Sequence, residues 1–422
     1  MATIKAVKVL IVASKLGYQT RVLAQAAERM GLEPMLATDR CGSMDDPWLD
    51  HAFPLKFYRP EESARRAEKS VRGVEGIIAV GDKPALAAAH IARRLKLPFH
   101  PVNAVEAAGN KDLSRRKLKR AGLPVPKFFS VALNTEPEEA CGRARFPCVL
   151  KPIGLSGSRG VIRANTAEEF KAAFLRIKRL LELPELLRHR DPTLNFIQVE
   201  DYIEGQEFAL DGVVTNGKLR TLAICDKPEP LDGPFFEETI YTTPSRHSMK
   251  TQKALQAAIQ QAVDALGLTH GPLHAEARVN AAGVWVLEVA ARPIGGLCAR
   301  VMRFNGGIPL EEVLLRHSLG EKVPALKLDG PAAGVMMIPI PRDGIYQDCR
   351  GVEEAARVEH IEGVEITAKP GQTFRKLPEG GSYLGFLFAR AEKPETVEAS
   401  LRQAHGRLEF HFATTLPVLP QK

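Results

Sequence analysis

Six cysteines stand at positions 41, 141, 148, 225, 298 and 349 of the 422 residues, and no two of them form a C-x-x-C pair. That spacing excludes a disulfide-stapled scaffold and a structural zinc site, which need dense or closely paired cysteines. Reduced thiols, and with them a cytoplasmic setting, are the expectation. No apolar run approaches the roughly 18 residues that cross a bilayer, so no membrane span is expected. The short apolar Val9 to Ala13, behind Met1 to Lys8, has neither the core length nor the small-x-small site of a leader, and reads as a strand. The first strand-to-helix turn, Ser14-Lys15-Leu16-Gly17-Tyr18, carries a single glycine where a dinucleotide fold would show G-x-G-x-x-G. Aromatics are also few, at 6%, and none interleaves the basic cluster Lys111, Arg115, Arg116, Lys117, Lys119 and Arg120. Bases have nothing to stack on there, so no nucleic-acid partner is expected and most of the cluster reads as a solvated helix face.

The composition, 45% hydrophobic and 26% charged, is that of a globular protein, and the formal charge of +8 suits an anionic ligand. Short apolar strands (Lys8 to Ala13, Pro34 to Thr38, Gly76 to Val80) alternate with helical patterns (Arg21 to Met30, Ala85 to Leu95), which predicts a doubly wound parallel sheet in an α/β lobe over residues 1–100. A second, α+β lobe follows over 101–320, opened by a helix from Asp112 to Ala121 that Gly122-Leu123-Pro124-Val125-Pro126 stops. A third α+β lobe, 321–422, holds the strand-like Gly334 to Pro339 and a helix from Pro394 to His405.

Three segments carry chemistry. In Cys148-Val149-Leu150-Lys151-Pro152-Ile153-Gly154-Leu155-Ser156-Gly157-Ser158-Arg159-Gly160, a strand delivers a lysine and a loop with three glycines follows. Such a loop lets backbone N–H groups approach phosphate oxygens, although a mobile surface turn uses glycine as freely. It is not a Walker A loop, because Gly-Lys-Ser/Thr is missing from its end. In Val199-Glu200-Asp201-Tyr202-Ile203-Glu204-Gly205-Gln206-Glu207 a strand runs into carboxylates that suit sugar hydroxyls, or simply ends in an acidic turn. The third segment pairs Leu273 to Val279 with Val284 to Val289 across Asn280-Ala281-Ala282-Gly283. A three-residue hairpin with a G1 bulge sets Asn280 opposite Val284, and therefore Glu276 opposite Glu288. Facing carboxylates repel unless a hard divalent cation lies between them. A two- or four-residue turn would instead send the two carboxylates to opposite faces. Arg292, four residues after Glu288, is a candidate for holding a phosphoryl group, with Gly295-Gly296 offering backbone donors beyond it. Pro234 to Glu238 and Thr243 to His247 are expected to border the pocket, His247 either orienting an amine or facing solvent.

Taken in this order, the segments resemble the ATP-grasp superfamily over nearly the whole chain, including a run similar to D-K-x-x-x-R…A-G-[VL]-P-x-P from Asn110-Lys111 through Arg115 to Pro126. The pair H-x-E-x-R and E-V-A-A-R-P-x-G-G, with Gly334-Val335-Met336-Met337 and Lys369-Pro370-Gly371 later, is most similar to the L-amino-acid ligases and carnosine-synthase-like enzymes. The resemblance implies a pre-ATP-grasp domain at 1–100, an ATP-grasp domain at 101–320 whose flap subdomain covers about 124–198, and a C-terminal lobe completing the unit. It implies that Lys111 and Lys151 hold ATP phosphates under a flap containing Gly154, Ser156, Gly157, Ser158 and Gly160. Glu200, Asp201, Tyr202 and Ile203 would form the adenine hinge, and Glu207 would hold the ribose. Glu276 and Glu288 would bind magnesium, with manganese able to substitute. Arg292, with Gly295 and Gly296, would stabilise an acyl phosphate. The implied activity is ATP-dependent joining of an amino acid or other carboxylate to an amine, with a homodimer as the family expectation. The rivals are a carboxyphosphate-forming enzyme on the same scaffold and a nucleotide sensor without turnover. Two positions depart from the usual pattern: Asn110 stands where Asp or Arg is common, and Ala290 where many members place a metal-binding Asn.

Overall fold

The computed structural model describes residues 7–14, 17–39, 52–188 and 190–413. Cys41, Lys15 and Leu16 of the first turn, and Met1 to Ala6 lie outside the described residues. Among the described residues all five remaining cysteines are free thiols, and no helix is long and apolar enough to cross a membrane.

The chain opens as the alternation of strands and helices predicts. Lys8–Ala13 lies between Glu33–Thr38 and Val74–Val80, with Ala52–Pro54 at the edge, all parallel. The residues from Val9 to Ala13 are buried, as a parallel strand covered on both faces requires. The helix Asp82–Leu95 leaves the C-terminal end of Val74–Val80 through Gly81, whose φ of +99° suits glycine.

A small antiparallel sheet follows, ordered Phe128–Ala132, Phe196–Asp201, Cys148–Pro152, Ile162–Ala164, and Phe170, Phe174 and Ile177 of the helix Ala167–Leu181 form its core. The main body is an eight-stranded sheet. It runs Gly283–Ala290, His270–Asn280, Gln206–Thr215, Lys218–Asp226, Ile240–Thr243, Ala332–Ile338, Gly385–Ala391, Ile361–Ile366, so strands on both sides of residue 320 share one sheet. The helix Met249–Leu266 packs on it. Ser248 caps its N-terminus by accepting from the Thr251 N–H, and Gly267 ends it in the left-handed conformation. One apolar cluster runs from Leu10 and Ile77 of the first sheet to Phe208, Ile259 and Val289 of the body, which fixes the first lobe against the second.

The hairpin that carries the paired carboxylates differs from the three-residue turn expected at Asn280. Asn280 pairs with Gly283 across a two-residue turn, and Val279, Arg278 and Ala277 pair with Val284, Trp285 and Val286. That register alone would send Glu276 and Glu288 to opposite faces. A bulge at Leu287 then inserts one extra residue, and Glu276 faces Glu288 after all. The predicted juxtaposition is present, through a bulge in the strand rather than in the turn.

Candidate active site

A cavity of about 550 Å³ opens where the three regions meet, lined by Gly81 from the first, by Lys151 and Glu288 from the second, and by Tyr383 from the third. Asn110 caps the helix Lys111–Arg120 by accepting from the Leu113 N–H, which places Lys111 at the start of the helix and at the cavity wall. Its ammonium donates to the Leu155 carbonyl and lies 3.9 Å from Glu288.

Lys151 emerges from Cys148–Pro152 and pairs with Glu200 of the neighbouring strand at 2.5 Å. Arg115 grips the same carboxylate with two bonds, at 2.7 and 3.2 Å, and donates a third to the Val286 carbonyl. Arg115 is 2% exposed, so it departs from the solvated face expected of its cluster, whereas Arg116, Lys119 and Arg120 are exposed. Burial alone would raise the Glu200 carboxyl, but Arg115 and Lys151 outweigh it and hold Glu200 at about 2. Burial lowers the Lys151 ammonium to about 8 against the pull of Glu200. The Glu200 side chain thus holds both Arg115 and Lys151 in place.

Glu200, Asp201, Tyr202 and Ile203 all line the cavity. The Tyr202 ring lies under the Arg163 guanidinium at 4.0 Å, and its hydroxyl donates to Asp232 at 3.0 Å. Arg278 ties the run down by donating to the Ile203 carbonyl and to Glu207. Glu207 reaches the cavity, with one carboxylate oxygen held by Lys227 and the other by Arg278, both at 2.8 Å.

Period-two alternation puts His274, Glu276 and Arg278 on one face of their strand. The His274 ring is held between Asp211, 3.1 Å from Nδ1, and Glu276, 3.5 Å from Nε2. Burial would lower this imidazole, but the two carboxylates outweigh it and raise it to about 9. Burial would likewise raise the Glu276 carboxyl, and Lys227 and His274 together hold it well below the ordinary range. The Lys227 ammonium, 2% exposed, sits 2.8 Å from Glu207, 2.6 Å from Glu238 and 3.4 Å from Glu276. Those three carboxylates approach within 4.8 Å of one another, and burial together with Glu276 pushes Glu238 up to about 7. Lys227 was not among the residues singled out from sequence, whereas Glu238, at the end of the run expected to border the pocket, lines the cavity. The only local signal for Lys227 is a lysine directly after an apolar strand.

Glu276 and Glu288 are partly exposed to the cavity on one face and offer hard oxygen donors. Facing carboxylate oxygens are hard donors of the kind a divalent metal ion takes, and such an ion would share them with Lys227, His274 and Lys111. Ala290 adds no ligand. Arg292 also lines the cavity, and its Nε donates to Asp82 of the first lobe at 2.8 Å. Gly295 and Gly296 lie beside it. A Cβ on Gly296 would come within 2.8 Å of the Phe386 ring, so only glycine brings this backbone so close to the wall.

Within the glycine loop, Ser156, Gly157 and Ser158 reach the cavity, but Gly154 and Gly160 do not. A Cβ on Gly154 would strike the Thr193 hydroxyl, and one on Gly160 the Pro152 ring. The Gly160 N–H donates to the Pro378 carbonyl at 2.8 Å and is not offered to a phosphate. His247 is also corrected: it is absent from the cavity wall, and its ring packs edge-on against the buried Phe208, centroids 4.7 Å apart.

Two lysines at a glycine loop, a cross-strand carboxylate pair and an arginine behind them are similar to the ATP-grasp superfamily, and the ATP-grasp domain matches residues 144–301. Members of that class bind ATP and divalent metal ions. L-amino acid ligase C-terminal domain 2 matches residues 336–413, in the third region. It is 27% identical to alanine–anticapsin ligase of Bacillus subtilis over 61% of its own length and 57% of the relative's. It is 23% identical to an L-arginine-specific L-amino acid ligase of Bacillus subtilis, over 72% of each. The crystal structure of an L-amino acid ligase from Bacillus licheniformis superposes with a TM-score of 0.82 at 24% identity, covering 98% of this chain and 100% of that one. The chain thus spans little more than half the length of the alanine–anticapsin ligase.

Proposed function

We propose that this protein is an ATP-dependent carboxylate–amine ligase that joins two amino acids through an acyl phosphate. The observation that carries the reading is the convergence of Lys111, Lys151, Glu276, Glu288 and Arg292 on one cavity. Lys111 and Lys151 place positive charge where the triphosphate would lie, and Glu200 fixes the Lys151 ammonium by an ion pair. Magnesium, or manganese in its place, would be held by Glu276 and Glu288 and would supply charge neutralisation for the phosphate oxygens. A substrate carboxylate oxygen attacks the γ-phosphorus, and ADP leaves. Arg292, aimed by Asp82, holds the phosphoryl group of the mixed anhydride, with the Gly295 and Gly296 backbone beside it. The amine nitrogen of the second substrate attacks the carbonyl carbon, phosphate leaves, and the nitrogen gives up a proton to form the amide. The match of the third region to the L-amino acid ligase domain favours amino acids over bicarbonate as the carboxylate. The same reading takes the chain as three lobes divided near residues 100 and 320, the glycine loop as the flap, a homodimer as the assembly and the cytoplasm as the compartment.

The test is phosphate release from ATP and magnesium against amino acids offered singly and in pairs. Release that depends on one pair, with a product mass equal to the pair minus water, is expected. Release with bicarbonate alone would move the activity to carboxyphosphate chemistry. ATP binding without release across the panel would point to a sensor.

A further inference from the structure

The third region does more than wall the cavity. The helix Ala167–Leu181, which supports the glycine loop, presents Arg176, and Glu379 from the segment between Thr373–Phe374 and Gly385–Ala391 meets it in a two-bond pair at 2.5 and 2.8 Å. Arg159, inside the glycine loop, donates its Nε to the Glu379 carbonyl at 2.8 Å, and the Gly160 N–H donates to the Pro378 carbonyl at 2.8 Å. Three contacts therefore bind the loop and its supporting helix to residues 378 and 379. The tying segment is itself stiffened. The Gly380 N–H closes on the Lys376 carbonyl at 2.7 Å, the Lys376 N–H is accepted by Asp343, and a Cβ at Gly380 would lie 1.8 Å from the Arg375 carbonyl. Immediately after this turn, Gly381, Ser382 and Tyr383 enter the cavity wall, which Ser156, Gly157 and Ser158 share from the glycine loop.

One segment therefore touches both the reacting cavity and the outside of the loop over the triphosphate. We propose that Arg176 and Glu379 are positioning residues forming a latch, by which the 375–383 segment holds the 154–160 loop shut while the cavity beside Tyr383 is filled. The inference rests on the ligase reading above. The consequence is chemical. An acyl phosphate reached by water returns the free carboxylate and inorganic phosphate, so ATP is spent with no amide formed. A loop that is latched excludes that water, and a loop that is not latched lets it in. The pair is well suited to opening and closing, because both side chains are partly exposed, 40% and 29%, and neither belongs to a buried core.

Two measurements on Arg176→Ala, Glu379→Gln and the charge-swapped double variant Arg176→Glu/Glu379→Arg test this. The first is backbone hydrogen–deuterium exchange of residues 155–161 in the full chain with a non-hydrolysable ATP analogue. Each single variant is expected to speed exchange there about tenfold, with the first sheet unchanged and the swap restoring protection. Exchange at wild-type rates in both single variants overturns the latch, whatever the activity. The second is the ratio of phosphate released to amide formed, expected to be one in the wild type and to rise severalfold in the single variants. A ratio fixed at one in a variant with accelerated exchange also overturns the water-excluding role. Failure of the ligase reading is separate: it would show as no amide from any pair in the wild type, with exchange at 155–161 still sensitive to Glu379.

Discussion

Arg292 and Asp82 meet at 2.8 Å across 210 residues of sequence, one at the end of a strand of the large sheet and the other at the start of the first lobe's last helix. Burial alone would lower the Arg292 guanidinium and raise the Asp82 carboxyl. Their mutual attraction outweighs both, so the pair stays charged. Asp82 thus aims the guanidinium while leaving it fully cationic for a phosphoryl group. Asp82→Asn keeps the shape and removes the charge. A charge-assisted hydrogen bond is worth about 1.5–3 kcal/mol, which predicts a loss of about ten- to 100-fold in kcat. The KM for ATP should change less than kcat, since Lys111 and Lys151 keep their own partners, the Leu155 carbonyl and Glu200. Steady-state kinetics decide the point, and an Asp82→Asn enzyme with wild-type kcat would remove Asp82 from the site.

His274 acts on Glu276 in a comparable way. With Asp211 behind it and Glu276 in front, its ring is fixed at both nitrogens, so the carboxylate proposed to hold the metal is oriented from outside the proposed ligand set. His274→Phe is expected to shift the metal dependence of ATP turnover to about 10–100-fold higher concentration, the usual cost of losing such a partner. His274→Gln should recover part of it. Titration of metal binding by calorimetry gives the same answer without turnover, and an unchanged affinity would rule out the positioning role.

What was legible in the sequence was what lies within one strand and the loop after it. Lys151 before a glycine loop, Glu276 and Glu288 on a hairpin, and Arg292 beyond it are all local patterns, and each lines the cavity. Their partners were not legible, because nothing local announces them. Asp211 sits 63 residues before His274, and Asp82 comes from another sheet. Glu200 shows the limit well, since its backbone strand is where the motif places it while its carboxylate serves Arg115 and Lys151. The hairpin shows another: Asn-Ala-Ala-Gly suggests where a turn falls, but the bulge at Leu287 is a property of how three strands twist together.

The Glu200 cluster yields a stability prediction. Glu200→Gln leaves Arg115 and Lys151 buried without their common counter-charge. Removing one partner of a buried ion pair costs about 3–5 kcal/mol, and a third charge left unpaired keeps the cost at the upper end. Denaturant unfolding should show that loss, together with weaker ATP binding as Lys151 loses its anchor. Glu200→Asp, which keeps the charge, should recover most of the stability. Equal stability of Gln and Asp variants would mean the charge is not what holds the cluster.

Histidines away from the cavity predict a pH dependence. His100 is buried with Nε2 on the Pro272 carbonyl at 3.0 Å, and burial lowers it to about 4. His317 stacks on His270 with centroids 4.1 Å apart and has Nε2 2.9 Å from the Thr215 hydroxyl. Burial, then the neighbouring His270 and His100, lower it to about 3. In the unfolded chain both titrate near ~6.5. The folded state therefore binds fewer protons than the unfolded one below that value. The stability these rings contribute is complete above pH ~6.5 and drains away as the pH falls toward 4 and 3. Well below pH ~6.5 each ring contributes a slope approaching about 1.4 kcal/mol per pH unit, and the pair removes about 3 kcal/mol between pH 6.5 and 5. Burial and Glu276 push Glu238 up to about 7, and this opposes the histidines over the same interval. The test is therefore a difference: between pH 6.5 and 5 the unfolding free energy of His317→Gln should fall by about 1.5 kcal/mol less than that of the wild type. Equal pH profiles for the wild type and His317→Gln would show that His317 accepts protons in the folded protein.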